Sequence, residues 1–74
     1  MSKLKLIDSK DFEKFLLKEG FIKVRQVGSH AFYKHNDGRY TTLPHHSKDN
    51  LPRPLIRTIL REINISIEEY NKKV

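Results

Sequence analysis

At Gly20 the hydrophobic period of the chain changes, and that change leaves few folds open. Before it, Phe12, Phe15, Leu16 and Leu17 recur at helical spacing, which predicts a helix over Asp8–Gly20. Asp8 or Ser9 can cap that helix, Asp11 and Glu13 suit the positive end of its dipole, and Gly20 can take the left-handed conformation that stops it. After it, Ile22 and Val24 alternate with Lys23 and Arg25, the period of a half-buried strand over Phe21–Val27. Gly28-Ser29 reads as a turn and Ala31–His35 as a second, aromatic-rich strand in which Phe32 is expected in the core. Asn36-Asp37-Gly38 is a strong hairpin signal, and Arg39–Leu43 makes a third strand ended by Pro44. The period then becomes helical again. Leu55, Ile56, Ile59, Leu60 and Ile63 share one face of a helix over Leu51–Ile63, with Pro52 and Pro54 in its first turn and Asn64 at its left-handed end. Ser66-x-x-Glu69 is a capping box for a short last helix.

This order predicts an α+β fold, with a three-stranded antiparallel sheet, helices on one of its faces, and a short extra C-terminal helix. With 74 residues the chain is expected to form a single domain over 1–74. It has no cysteine, so neither a disulfide nor a thiolate metal site is available. Nothing reads as a signal peptide, and no apolar run approaches the ~18 residues of a membrane span, so a cytoplasmic protein is expected.

The charge is uneven. The net is +6, and between Lys23 and Arg61 eight cations face only Asp37 and Asp49, so the middle of the chain carries the whole excess. The sequence pI is about 9.8. Such a centre suits a polyanion, either nucleic acid or an acidic protein, or is a solvated face without a ligand. Arg53, Arg57 and Arg61 form a basic ridge along the second helix.

All four histidines, His30, His35, His45 and His46, lie in this basic centre. Histidine among cations has the composition of a metal-free ribonuclease site, which needs a base for the 2′-hydroxyl, an acid for the leaving oxygen and positive charge for the phosphorane. By spacing alone His30 is equally a surface or packing residue. A metal site is the weaker reading, because no carboxylate completes a set with the His45-His46 pair. Tyr33, Tyr40 and Phe32 are candidates for stacking on bases.

Gly28-Ser29-His30, Tyr33-Lys34-His35, Asp37-Gly38-Arg39 and Thr42-Leu43-Pro44-His45 follow one another in an order that resembles the HicA toxins of bacterial toxin–antitoxin pairs. Leu51-Pro52-Arg53, Leu55-Ile56-Arg57, Ile59-Leu60, Ile65-Ser66 and Glu68-Glu69-Tyr70 continue the likeness, which runs from about Lys10 to Tyr70. Pro54 and Asn64 depart from the family's usual small residue and glycine, and both fit the backbone roles given above.

The resemblance implies an α-β-β-β-α fold like that of the double-stranded-RNA-binding domain. It implies a type II toxin that cuts messenger RNA as an endoribonuclease and is neutralised by a HicB-like antitoxin, monomeric alone and hetero-oligomeric with that partner. It places the catalytic histidine at His30, and that histidine is expected to act as general acid or base without a metal or other cofactor. Gly28 and Ser29 would position the phosphate or the imidazole, and Lys23, Arg25, Lys34 and Arg39 would contact RNA. His35 and His45 are the first candidates for a second acid. The competing expectations are a non-catalytic RNA-binding module and a domain whose basic face meets an acidic protein.

Overall fold

A computed structural model describes residues 3–45 and 48–74; His46, with Met1, Ser2 and Ser47, lies outside them, so the His45-His46 pair is described by half. The order is α1 (Ser9–Lys18), β1 (Ile22–Val27), β2 (His30–Lys34), β3 (Tyr40–Pro44), α2 (Arg53–Glu62) and α3 (Ile67–Lys73). The strands form an antiparallel sheet in the order β1-β2-β3. Among the described residues no helix is long and apolar enough to cross a membrane.

The helix ends follow local chemistry. The Asp8 carboxylate accepts the Asp11 amide at 2.8 Å and so satisfies a first-turn donor of α1. At the other end, Phe21 N donates to Leu16 O at 3.0 Å and Gly20 N to Leu17 O at 3.2 Å, a Schellman pair that needs the positive φ of Gly20 (+94°). The pair recurs after α2, where Ile65 N reaches Leu60 O and Asn64 N reaches Arg61 O, with Asn64 at φ +57°. The Ser66 hydroxyl accepts the Glu69 amide at 3.1 Å, while the Glu69 carboxylate turns to Lys73 one helical turn on.

The core lies between the helices and one face of the sheet. Phe12, Phe15 and Leu16 of α1, Ile56, Ile59 and Leu60 of α2, and Ala31, Tyr33 and Leu43 of the sheet are all buried. Each large apolar side chain there contributes about 1.5–3 kcal/mol of transfer free energy. The short last helix belongs to this core, because Tyr70 is fully buried against Phe12 and Phe15 and its hydroxyl donates to Lys5 O at 2.6 Å. Burial pushes the Tyr70 phenol up to about 12.

Three strand expectations are corrected. β1 is not half-buried. All six of its residues are exposed, with Ile22 and Val24 at 61% and 46%, because it is an edge strand beyond the cover of the helices. Phe32 is not core; Ala31 and Tyr33 are, and Phe32 stands half-buried on the opposite face. Tyr33 is therefore withdrawn from any ligand, since it is wholly buried. Leu17, assigned to the apolar stripe of α1, is 49% exposed.

Candidate active site and open sheet face

The turn ahead of His30 is short and fixed. Val27 pairs with His30, so Gly28-Ser29 is a two-residue hairpin loop, with Gly28 at φ +59° as the primed turns require. Gln26 Nε2 donates to Gly28 O at 3.1 Å, and the His45 amide donates to Ser29 O at 2.6 Å. The turn is thus tied to β1 by a side chain and to the end of β3 by the backbone. His30 opens β2 on the side away from the helices and is exposed. Among the described residues its imidazole has no hydrogen-bonding or ionic partner.

Cross-strand register decides what accompanies it. Residues paired across neighbouring strands share a face. His30 lies between Val27 and Pro44, Phe32 between Arg25 and Thr42, and Lys34 between Ile22 and Tyr40. A bulge between Lys23 and Arg25 sets this arrangement, because the extra residue, Val24, restores Arg25 to the open face after Lys23 has turned to the helix side. The Arg25 guanidinium lies 5.2 Å from the centre of the Phe32 ring, and the Phe32 and Tyr40 rings are 6.2 Å apart. The open face therefore presents an imidazole, two cations and two neighbouring aromatic rings.

The four cations expected at RNA are split by the fold. Arg25 and Lys34 stand on the open face with His30. Lys23 is on the helix side, 3.0 Å from the Glu13 carboxylate and 3.2 Å from Gln26 Oε1. Arg39 is held by Asp37 at 2.8 Å, donates to Ile63 O at 2.5 Å and lies over Phe21, so it closes the C-terminal end of α2 onto the hairpin. The backbone amide of Arg39, then its side chain and charge, hold the Asp37 carboxyl below its ordinary range.

Neither imidazole expected as a second acid shares the face of His30. The His35 ring packs edge-on against buried Phe21 at 5.1 Å, and its Nδ1 accepts the Asp37 amide at 3.1 Å. His45 Nε2 lies 2.9 Å from the hydroxyl of buried Tyr33, which donates to Glu13 at 2.5 Å. Burial opposes charge on Glu13, but the bonds from Tyr33 and Lys23 outweigh it and lower the carboxyl below its usual value. Burial, then the bond to Glu13, push the Tyr33 phenol far up. This Lys23–Glu13–Tyr33–His45 cluster was not foreseen from the sequence, and no short-range spacing signals it. Its members come together only once β2 is known to turn Tyr33 inward. Among the described residues no three His, Asp or Glu side chains converge on a metal position.

A family model described as the HicA toxin of bacterial toxin–antitoxin matches residues 9–65. A comparison with curated proteins finds no match.

Proposed function

The chain belongs to the HicA family, toxins of bacterial toxin–antitoxin systems, and on that footing we propose that it is an endoribonuclease that cuts messenger RNA with His30 and is held in check by a HicB-like antitoxin. The observation that carries this reading is the setting of His30. It stands exposed at the head of β2, on an open face, with no partner among the described residues and with Arg25 and Lys34 on the same face.

The chemistry follows from those groups. The neutral imidazole of His30 takes the proton of a ribose 2′-hydroxyl, and the 2′-oxygen attacks the adjacent phosphorus. The bond from phosphorus to the 5′-oxygen of the next nucleotide breaks, and that oxygen leaves after gaining a proton. The products are a 2′,3′-cyclic phosphate and a 5′-hydroxyl. The same imidazole, now protonated, can return its proton to the leaving oxygen, or solvent supplies it. Arg25 and Lys34 offset the charge that develops on the phosphorane. The turn amides and Ser29 hold the phosphate or the ring in register. With His35 and His45 engaged on the helix side, a single histidine makes a slow catalyst, which suits a toxin that needs few cuts to halt growth.

That same engagement favours one competing reading, a module that binds RNA without cutting it. One experiment decides between them. Purified wild type and His30→Ala are incubated with mixed-sequence RNA in EDTA, and fragments and their ends are resolved on a gel. Cutting by wild type alone, leaving cyclic or 3′-phosphate ends, is the expected result. Equal cutting by both removes His30 from the mechanism, and a shift of the RNA without cutting by either makes the chain a binding module.

A further inference from the structure

The open face holds more than a histidine and two cations, and the catalytic reading does not use its aromatic rings. Phe32 neighbours His30 on the same face of β2, two residues away, about 6.6 Å along the strand. Tyr40, 47% exposed, lies diagonally across from it on β3, the two ring planes tilted by 37°. Arg25 covers one side of the Phe32 ring from β1 and steadies it. Ile22, Val24 and Val27 are also exposed along β1, at 61%, 46% and 55%. None of the residues in the three cross-strand rows of this face is acidic. Aromatic rings on an open face, beside cations and with no carboxylate in those three rows, match a single-stranded polynucleotide. Its bases offer π-faces and its backbone offers phosphates.

We propose that the open sheet face is a docking platform for single-stranded RNA, on which a base stacks against Phe32 and Tyr40 and so delivers the adjoining phosphodiester to His30. The proposal rests on the nuclease reading for its last step but not for its binding step. A duplex does not fit this platform, because its bases are already stacked on one another and its wide groove displays only edges and 2′-hydroxyls. The second basic surface, the ridge of Arg53, Arg57 and Arg61, lies on the helix layer and has no aromatic ring interleaved with it, so it cannot select for unstacked bases. Phosphate contacts from Arg25 and Lys34 alone give a shallow salt dependence. Two contacts to a single strand correspond to a slope of about −1.4 in log K against log salt.

The test separates binding from cutting. A fluorescein-labelled RNA 12-mer of mixed sequence, alone or annealed to its complement, is titrated with His30→Ala and with the same variant carrying Phe32→Leu and Tyr40→Leu. Circular dichroism verifies that the Leu variants are folded, and Arg57→Ala serves as a control on the helix layer. Stacking on aromatic side chains contributes roughly 1–3 kcal/mol per base, so the double Leu change is expected to weaken single-strand binding by roughly 5- to 150-fold. Arg57→Ala should stay within about twofold, and the single strand should bind more tightly than the duplex. Equal or tighter binding of the duplex overturns the proposal. So does an affinity that the Leu changes leave within about twofold, which would leave the apolar face to a protein partner. Wild type that binds through this face without cutting refutes the nuclease reading and leaves the platform standing. Wild type whose cutting ignores Phe32 and Tyr40 does the reverse.

Discussion

Removing one buried oxygen by Tyr33→Phe probes the contact that ties α1 to the sheet. The ring is fully buried and its packing survives the change. What is lost is a bond to the Glu13 carboxylate at 2.5 Å and a contact to His45 Nε2 at 2.9 Å. The hydroxyl has one proton and gives it to Glu13, so His45 must offer Nε2–H to the phenol oxygen. A bond to a charged group contributes about 1.5–3 kcal/mol and a neutral one about 0.5–1.5 kcal/mol. The Glu13 and His45 side chains keep 22% and 18% exposure, so water recovers part of both. The expected net loss is about 2 kcal/mol, or roughly 8–16 °C in Tm for a chain of this size. The loss depends on pH. The Glu13 carboxyl sits below its ordinary 4.5 in the folded chain, so the unfolded state takes up protons first as pH falls. Its stabilisation is whole above 4.5 and disappears as pH drops through the lowered folded value. Urea melts of wild type and Tyr33→Phe at about pH 6.5 and about pH 3.5 should therefore show a gap of about 2 kcal/mol that narrows in acid. A gap under about 0.5 kcal/mol at the higher pH, or one that does not change with pH, refutes the reasoning.

Two glycines separate backbone strain from crowding. At Gly20 a methyl group would sit 2.8 Å from His35 Nε2 as well as at φ +94°, so Gly20→Ala should cost about 2–3 kcal/mol by chemical melt. Gly28 has open space around it and only its φ of +59° to lose, so Gly28→Ala should cost about 1 kcal/mol; equal losses at both sites would show that His35 yields freely. At the end of α2, Asn64 holds a left-handed conformation at φ +57°. Asn64→Ala should lower stability by about 1 kcal/mol, while Asn64→Gly should move it by less than about 0.5 kcal/mol, because strain relieved in the fold is offset by a freer unfolded chain. Thermal melts of the two variants check this, and a larger loss for glycine would contradict it.

The sequence was legible wherever structure is decided by neighbours along the chain. Asp8, Gly20, Asn64 and Ser66 each work within one helical turn, and their roles at the helix ends were visible as residue types at fixed offsets. Both hairpin turns were visible for the same reason. Parity in β2 was not. Ala31-Phe32-Tyr33 offers an aromatic ring to either face, and only the burial of Ala31 and Tyr33 against the helices decides between them. The bulge at Val24 likewise leaves no mark in a strand of alternating residues, yet it decides that Arg25 and not Lys23 joins His30. The placement of Tyr70 in the core and the meeting of Glu13 with Tyr33 and His45 depend on contacts far apart in sequence, which periodicity does not report.

The two faces of β2 make opposite demands, and the turn at Gly28-Ser29 reconciles them. Behind the sheet, Tyr33 is held by Glu13 from α1 and in turn meets the side chain of His45. The backbone amide of that same His45 holds Ser29 O, one residue before His30. A continuous line of hydrogen bonds thus runs from α1 through the core to the turn that aims the exposed histidine. None of its members other than the turn shares the face of His30. Such an arrangement leaves the imidazole without a partner among the described residues while fixing the backbone that carries it, a setting that fits the general acid–base role proposed for it. The packing behind the sheet also lets so small a fold leave Tyr40 exposed and Phe32 half-buried on its other side. The core is closed from the helix side, with Tyr70 of the last helix in it, and Phe32 and Tyr40 are left on the open face.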